Sequence, residues 1–211
     1  MNFRYYFLLV AAAALLFSKA GGVARGETLT FDDLPQPTSP DTVIPNGYGG
    51  LTWSNFYYLN ASLLTLESGP NGYGNGLVST PNVAYNGFGN EAVTSGNPFT
   101  FNSAYFTGAW NNGLNVVVTG LSNGVQVDQT SFTVDSTSPT LKTFNWTNVD
   151  QLVFDSSGGT HAGYVDYGTQ FAMDDFTFTP GGSVGVPDAR PFLMVLLGGA
   201  LLVKKLFRSS I

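Results

Sequence analysis

Between Glu27 and Pro180, short apolar and aromatic segments are separated every ten residues or so by Gly, Asn, Asp, Ser and Pro. No segment sustains the 3.6-residue period of an amphipathic helix, whereas several alternate with the two-residue period of a half-buried strand. Leu29 and Phe31 alternate with polar residues ahead of Asp32-Asp33. Strand-like segments follow at Gly50–Leu59, Leu63–Leu66, Leu77–Tyr85, Phe99–Trp110, Leu114–Thr119, Val125–Val134, Thr140–Trp146, Val149–Phe154 and Gln170–Phe178. Gly120-Leu-Ser-Asn-Gly124 carries the Asn-Gly signal of a hairpin. The 154 residues from Glu27 to Pro180 suit one domain. The expected fold is all-β: a two-sheet antiparallel β-sandwich of the jelly-roll kind.

Composition narrows the chemistry. The chain has no cysteine, so neither a disulfide nor a thiolate-bound metal contributes to its stability. Between residues 27 and 180 there are thirteen Asp and Glu against the single Lys142. A surface of that sign repels nucleic acid and anionic headgroups and suits neutral hydrated polymers or divalent cations.

The ends read differently from the body. Arg4, the apolar run Tyr5–Phe17 and the small residues Ser18, Ala20, Ala24 and Gly26 have the layout of a secretory signal peptide over residues 1–26. Residues 181–185, Gly-Gly-Ser-Val-Gly, read as a flexible linker. In 186–211, the motif Val186-Pro187-Asp188 precedes the twelve-residue apolar run Phe192–Val203 and the cations Lys204, Lys205 and Arg208. As a helix that run would rise roughly 18 Å, short of a bilayer core of about 30 Å. The cations act as a cytoplasmic stop.

This tail resembles the Val-Pro-Asp variant of the PEP-CTERM sorting signals of bacteria. Arg190 and Pro191 depart from the pattern, standing where small or hydroxyl residues are usual. The resemblance implies export through signal peptidase, transient membrane insertion by a short transmembrane helix and cleavage by an exosortase-type protease. Its implied destination is the cell surface or an extracellular matrix.

Three groups of residues could carry function. Asp32-Asp33 follow the first strand and Asp174-Asp175 lie in the last. First and last strands of jelly rolls are often neighbours, so these four carboxylates are expected to share a structural Ca2+. Phe171 and Met173 have one parity, Phe176 and Phe178 the other, which predicts a bulge at Asp174-Asp175 if all four face the core. Phe31-Asp-Asp-Leu34 and Phe171-Ala-Met-Asp-Asp-Phe-Thr-Phe178 also resemble the ends of carbohydrate-binding modules and galactose-binding-like jelly rolls. That resemblance implies the fold and transfers no sugar-binding residue.

Aromatic rings supply the second group. Trp53 and Trp146 lie in strand patterns and are expected in the core. Tyr48, Tyr73 and Phe88 stand beside glycines and are expected on loops, where rings stack against sugars. Asn55, Asn86, Asn90, Asn111 and Asn112 are candidate partners for sugar hydroxyls. The third group is catalytic in kind: the single histidine, His161, after Ser156-Ser-Gly-Gly-Thr160, and the carboxylates Glu67 and Glu91. No Gly-x-Ser-x-Gly elbow accompanies the histidine. No catalytic residue is assigned. The expected function is a non-catalytic, glycan-binding surface or matrix domain, with extracellular polysaccharide as partner. A secreted carbohydrate-active enzyme and a purely structural matrix component are the alternatives.

Overall fold

The computed structural model describes residues 25–181, apart from 38, 40 and 41. The signal peptide and the sorting tail expected from the sequence, including Val186, Pro187, Asp188, Lys204, Lys205 and Arg208, lie outside the described residues. The described residues belong to one compact unit.

Its elements, in order, are β1 (Glu27–Leu29), β2 (Thr42–Val43), β3 (Thr52–Ser54), β4 (Phe56–Asn60), α1 (Ala61–Ser68), the single turn α2 (Gly72–Asn75), β5 (Asn82–Asn86), β6 (Ala92–Gly108), β7 (Asn111–Asn112), β8 (Leu114–Ser122), β9 (Val125–Val134), β10 (Thr140–Ser157), β11 (Thr160–His161) and β12 (Phe171–Pro180). Ten strands are hydrogen-bonded along the path β2-β4-β5-β12-β6-β10-β8-β9, with β1 on β12 and β3 on β6; β7 and β11 form a separate pair. All the pairings are antiparallel.

The all-β antiparallel class expected from the sequence is the observed one, and the sandwich comes from two long strands. β6 and β10 pair along their lengths, with register shifts between Thr143 and Gln151. One half of this ribbon, around Phe99–Gly108, carries β12, β5, β4 and β2. The other half, around Ala92–Ser95 and Gln151–Ser157, carries β3 on one side and β8 and β9 on the other. Bulges bend a strand, and rings from the two halves meet edge-on between the layers. Trp53 of β3 lies 5.7 Å from Phe176 of β12, Phe56 of β4 5.4 Å from Phe154 of β10, and Phe132 of β9 5.2 Å from Phe106 of β6.

The core between the layers is rich in phenylalanine: Phe31, Phe56, Phe101, Phe106, Phe154, Phe171 and Phe176 are all buried. Trp53 is in it and Trp146 packs against it, as their strand patterns predict. A second, smaller cluster covers the outer face of β4, β5 and β12, where Leu59, Val83, Tyr85 and Ala172 pack with Ala61, Tyr73, Ala109 and Trp110. Strand side chains alternate between faces, so Phe56 and Tyr58 enter the inner core while Tyr57 and Leu59 join the outer one.

The expected strand at Leu63–Leu66 is instead part of α1. The chain here holds helix end signals that outweigh the apolar run. Asn60 Oδ1 accepts from Leu63 N at 2.8 Å as an N-cap, and Gly69 closes the helix at φ 81°. The expected breaks within 140–154 are bulges in one strand, with Asn145 and Asn148 at positive φ. The hairpin at 120–124 is tighter than expected: β8 runs to Ser122, leaving Asn123 (φ 51°) and Gly124 (φ 75°) as the turn, the geometry of a type I′ turn.

Candidate functional site

The ends of β5 and β10 and the starts of β6 and β12 meet at one end of the sandwich. Asn86, at the end of β5, ties them together. Its side-chain NH2 donates to Asn90 O at 3.0 Å and to Ser156 Oγ at 2.8 Å, and its Oδ1 accepts from Phe171 N at 2.9 Å. Ser156 Oγ donates to Thr169 O, and Thr169 Oγ1 donates to Gly89 O at 3.3 Å. Asn55 braces the other flank: its NH2 donates to Gly87 O (3.2 Å) and Glu91 O (2.8 Å), and its own carbonyl accepts from Gly87 N (2.8 Å).

These bonds hold a one-turn helix, Gly87-Phe88-Gly89, on which Phe88 sits at φ 57°. A left-handed backbone is costly for a bulky side chain, on the order of 1–3 kcal/mol. Phe88 is nonetheless 67 % exposed. Its one described ring neighbour is Tyr57, edge-on at 5.9 Å. Gly87 fixes this approach, because a Cβ there would overlap the Tyr57 ring and the Asn55 side chain. From Phe88 a line of rings crosses the outer face: Tyr57 to Tyr85 at 5.7 Å, Tyr85 to Tyr73 at 5.3 Å, Tyr73 to Trp110 at 5.4 Å and Trp110 to Tyr164 at 6.4 Å.

A second exposed ring lies on the loop between β11 and β12. Tyr167 is 74 % exposed and stacks on His161 at 4.1 Å with 19° between planes. His161 is held by its own loop: Nδ1 accepts from Gly163 N at 3.3 Å, and Nε2 meets Asp166 O at 2.9 Å. The two aromatic loops touch where Thr169 reaches Gly89.

Of the three aromatics expected to meet a ligand, the structure puts only Phe88 in solvent. Tyr73 is buried in the outer cluster. Tyr48 is half-buried against Phe31 and Trp53. Its hydroxyl donates to Asp33 Oδ1 at 2.7 Å and accepts from Phe31 N at 3.0 Å. Burial, and then the Asp33 carboxylate, hold that phenol well above the usual tyrosine range. Asn55 and Asn86, expected to face sugar hydroxyls, serve the loop backbone instead. Tyr167 carried the same signal in sequence, an aromatic residue beside a glycine, and was not singled out.

One member of each acidic pair, Asp32 and Asp174, reaches the segment before β5. β1 pairs with β12, as expected of first and last strands. The predicted bulge is present: Asp175 has φ 49°, the register shifts after Asp174, and Phe171, Met173, Phe176 and Phe178 all face the core. Asp174, 1 % exposed, turns toward the segment before β5. Its Oδ2 accepts from Val78 N (2.8 Å) and Ser79 N (2.9 Å), and its Oδ1 from Ser79 Oγ (2.9 Å) and Asp175 N (2.7 Å). Asp32 Oδ1 accepts from Asn82 N at 2.8 Å at the other end of that segment. Burial outweighs these bonds and pushes the Asp174 carboxyl up to about 6. Asp32, Asp33 and Asp174 thus serve protein donors. Among the described residues no three His, Asp or Glu side chains stand where they could hold a metal ion, so the arrangement does not fit a Ca2+ shared by the four carboxylates.

Nor do the catalytic candidates converge. Ser156 Oγ is engaged by Asn86 and Thr169, and His161 by Gly163 and Asp166. Glu67 lines a shallow recess of about 220 Å3 beside α1, with Gln36, Leu59 and Leu63; Glu91 follows the Phe88 turn. Among the described residues no helix is long and apolar enough to cross a membrane.

No family model and no curated protein matches this chain. Among solved structures, it is similar to the carbohydrate-binding module TmCBM61 in complex with β-1,4-galactotriose, at 8% identity and TM-score 0.36, over 64% of this chain and 94% of that one. It is also similar to the M60 catalytic domain with the CBM51-1 and CBM51-2 domains of Clostridium perfringens ZmpB, at 13% identity and TM-score 0.33, over 75% of this chain and 15% of that one. Both scores are low, and the all-β class stands on the strand pairing itself.

Proposed function

We propose that this chain is an exported, non-catalytic glycan-binding β-sandwich whose binding surface is the end carrying Phe88 and Tyr167. One observation carries the reading: Phe88 is held in solvent on a left-handed backbone by a network that fixes its loop. A fold that minimised only its own free energy would place glycine there. A ring fixed before binding offers stacking area to a sugar face with little ordering cost. Tyr167, stacked on His161, supplies a second ring on the adjoining loop.

The test is affinity electrophoresis of the full-length protein in gels containing soluble polysaccharides. Retardation in at least one gel, lost in Phe88→Ala and weakened in Tyr167→Ala without a change in melting temperature, supports the reading. Equal mobility of wild type and Phe88→Ala in every gel refutes it.

The address is a separate part of the proposal, supported by the sequence of the ends. The signal-like residues 1–26 and the tail 186–211 fit export followed by exosortase-type cleavage and delivery to the cell surface or matrix. Intact mass of the protein recovered from the producing cells is the measurement. Loss of the residues after about Pro187 is expected; a mature form with an intact tail would contradict this address.

A further inference from the structure

We infer that the Phe88–Tyr167 end selects polysaccharides without acid groups and rejects carboxylated or sulfated ones. This rests on the glycan-binding reading above. Sugar faces of neutral and acidic polymers offer similar stacking area, so the rings alone discriminate poorly between them. The charges around the rings decide.

Three carboxylates lie at this end, Glu91 and Asp166 on its loops and Asp155 near the end of β10. Glu91 follows the Phe88 turn, and its carbonyl is held by Asn55. Asp155 precedes Ser156, which bonds both Asn86 and Thr169. Asp166 precedes Tyr167, and its carbonyl meets His161. All three residues are exposed. The described cations, Arg25 and Lys142, stand elsewhere. Arg25 leads into β1, which pairs with the Phe176–Phe178 part of β12, away from the Phe171 end. The Lys142 ammonium lies 4.7 Å over the Phe132 ring. An anionic group on a bound polymer therefore meets like charge with no Lys or Arg on these loops to offset it.

Exposed charges at about 8 Å in water each change binding roughly twofold, so three together give about tenfold at low salt. Because the rim is solvated, salt screens the effect. The experiment sets full-length protein in gels of neutral β-glucan, galactomannan and mannan, each beside its carboxymethylated derivative. The neutral polymer that retains the protein is expected to do so about tenfold more strongly than its derivative at 20 mM salt, narrowing to about twofold at 0.5 M. Glu91→Gln with Asp166→Asn should narrow the low-salt ratio. A derivative that binds as well as its parent at low salt overturns the selectivity and leaves glycan binding standing. Retention on a derivative alone overturns the selectivity only, and no retention on any polymer, neutral or derivatised, overturns both.

Discussion

The two aromatic clusters of this domain are built from different rings, and the difference tracks what each faces. Most aromatic rings of the inner core are phenylalanine, buried between the layers; its Trp53 and Tyr58 spend their polar atoms on the carbonyls of Tyr48 and Pro35. The outer line is tyrosine and tryptophan, partly covered by α1 and α2, and ends in the exposed Phe88. Phenylalanine fits where no water or partner reaches a hydroxyl. Tyrosine and tryptophan suit a layer with one wet edge. The inner cluster therefore holds the fold, and the outer one carries a ring to the surface.

Substitutions separate the two roles. The largest effect belongs to the inner core. Phe101 stacks on Phe144 at 4.3 Å and Phe176 at 4.9 Å, so Phe101→Ala should cost about 4 kcal/mol in urea unfolding. A cost under about 1 kcal/mol would mean that the layers do not depend on this packing.

Asp174 comes next, since it fastens the segment before β5 to the last strand. Asp174→Ala strips acceptors from the amides of Val78, Ser79 and Asp175, for an expected loss of about 3 kcal/mol. Its carboxyl, raised by burial from 3.8 to about 6, titrates higher in the fold than in the unfolded chain. Its contribution is therefore complete below about pH 4 and is lost as pH rises through about 6. Relative to Asp174→Asn, the wild type should lose on the order of 2 kcal/mol across that window. A difference that does not change with pH would contradict the burial.

At the surface the sign reverses. Phe88→Gly relieves the left-handed backbone, and stability should stay level or rise by up to about 1 kcal/mol. A loss above about 1 kcal/mol would make Phe88 a structural ring and dissolve the contrast between the clusters. Calcium has the smallest expected effect. With the carboxylates engaged by amides and hydroxyls, EGTA followed by excess Ca2+ should move the melting midpoint by less than about 1 °C. A clear rise under Ca2+ would restore the cation reading of the acidic pairs.

Much of the fold was legible in the chain because strand alternation and turn chemistry are local. The parity change between Met173 and Phe176 located a bulge in β12, and Asn123-Gly124 located a hairpin. α1 was missed because Leu63 and Leu66 read as a short apolar run, while Asn60 and Gly69 at its ends carried the helix signal. The site was less legible. Tyr48, Tyr73 and Phe88 look alike in sequence, each beside a glycine, and only tertiary packing separates the exposed ring from Tyr48, set against the inner core, and Tyr73, set in the outer cluster. The first and last strands were correctly expected as neighbours, which brings Asp32 and Asp174 to the two ends of one segment. What they bind, the amides of Val78, Ser79 and Asn82, depends on how a distant segment folds back, and no local pattern records that.

The central claim is that Phe88 is kept in solvent for a ligand. The most direct measurement pairs the melting temperatures of wild type, Phe88→Ala and Phe88→Gly with their retardation by a neutral polysaccharide that retains the wild type. The account predicts melting temperatures at or above the wild-type value with retardation abolished in both variants. Retained binding in both variants at unchanged stability would contradict it.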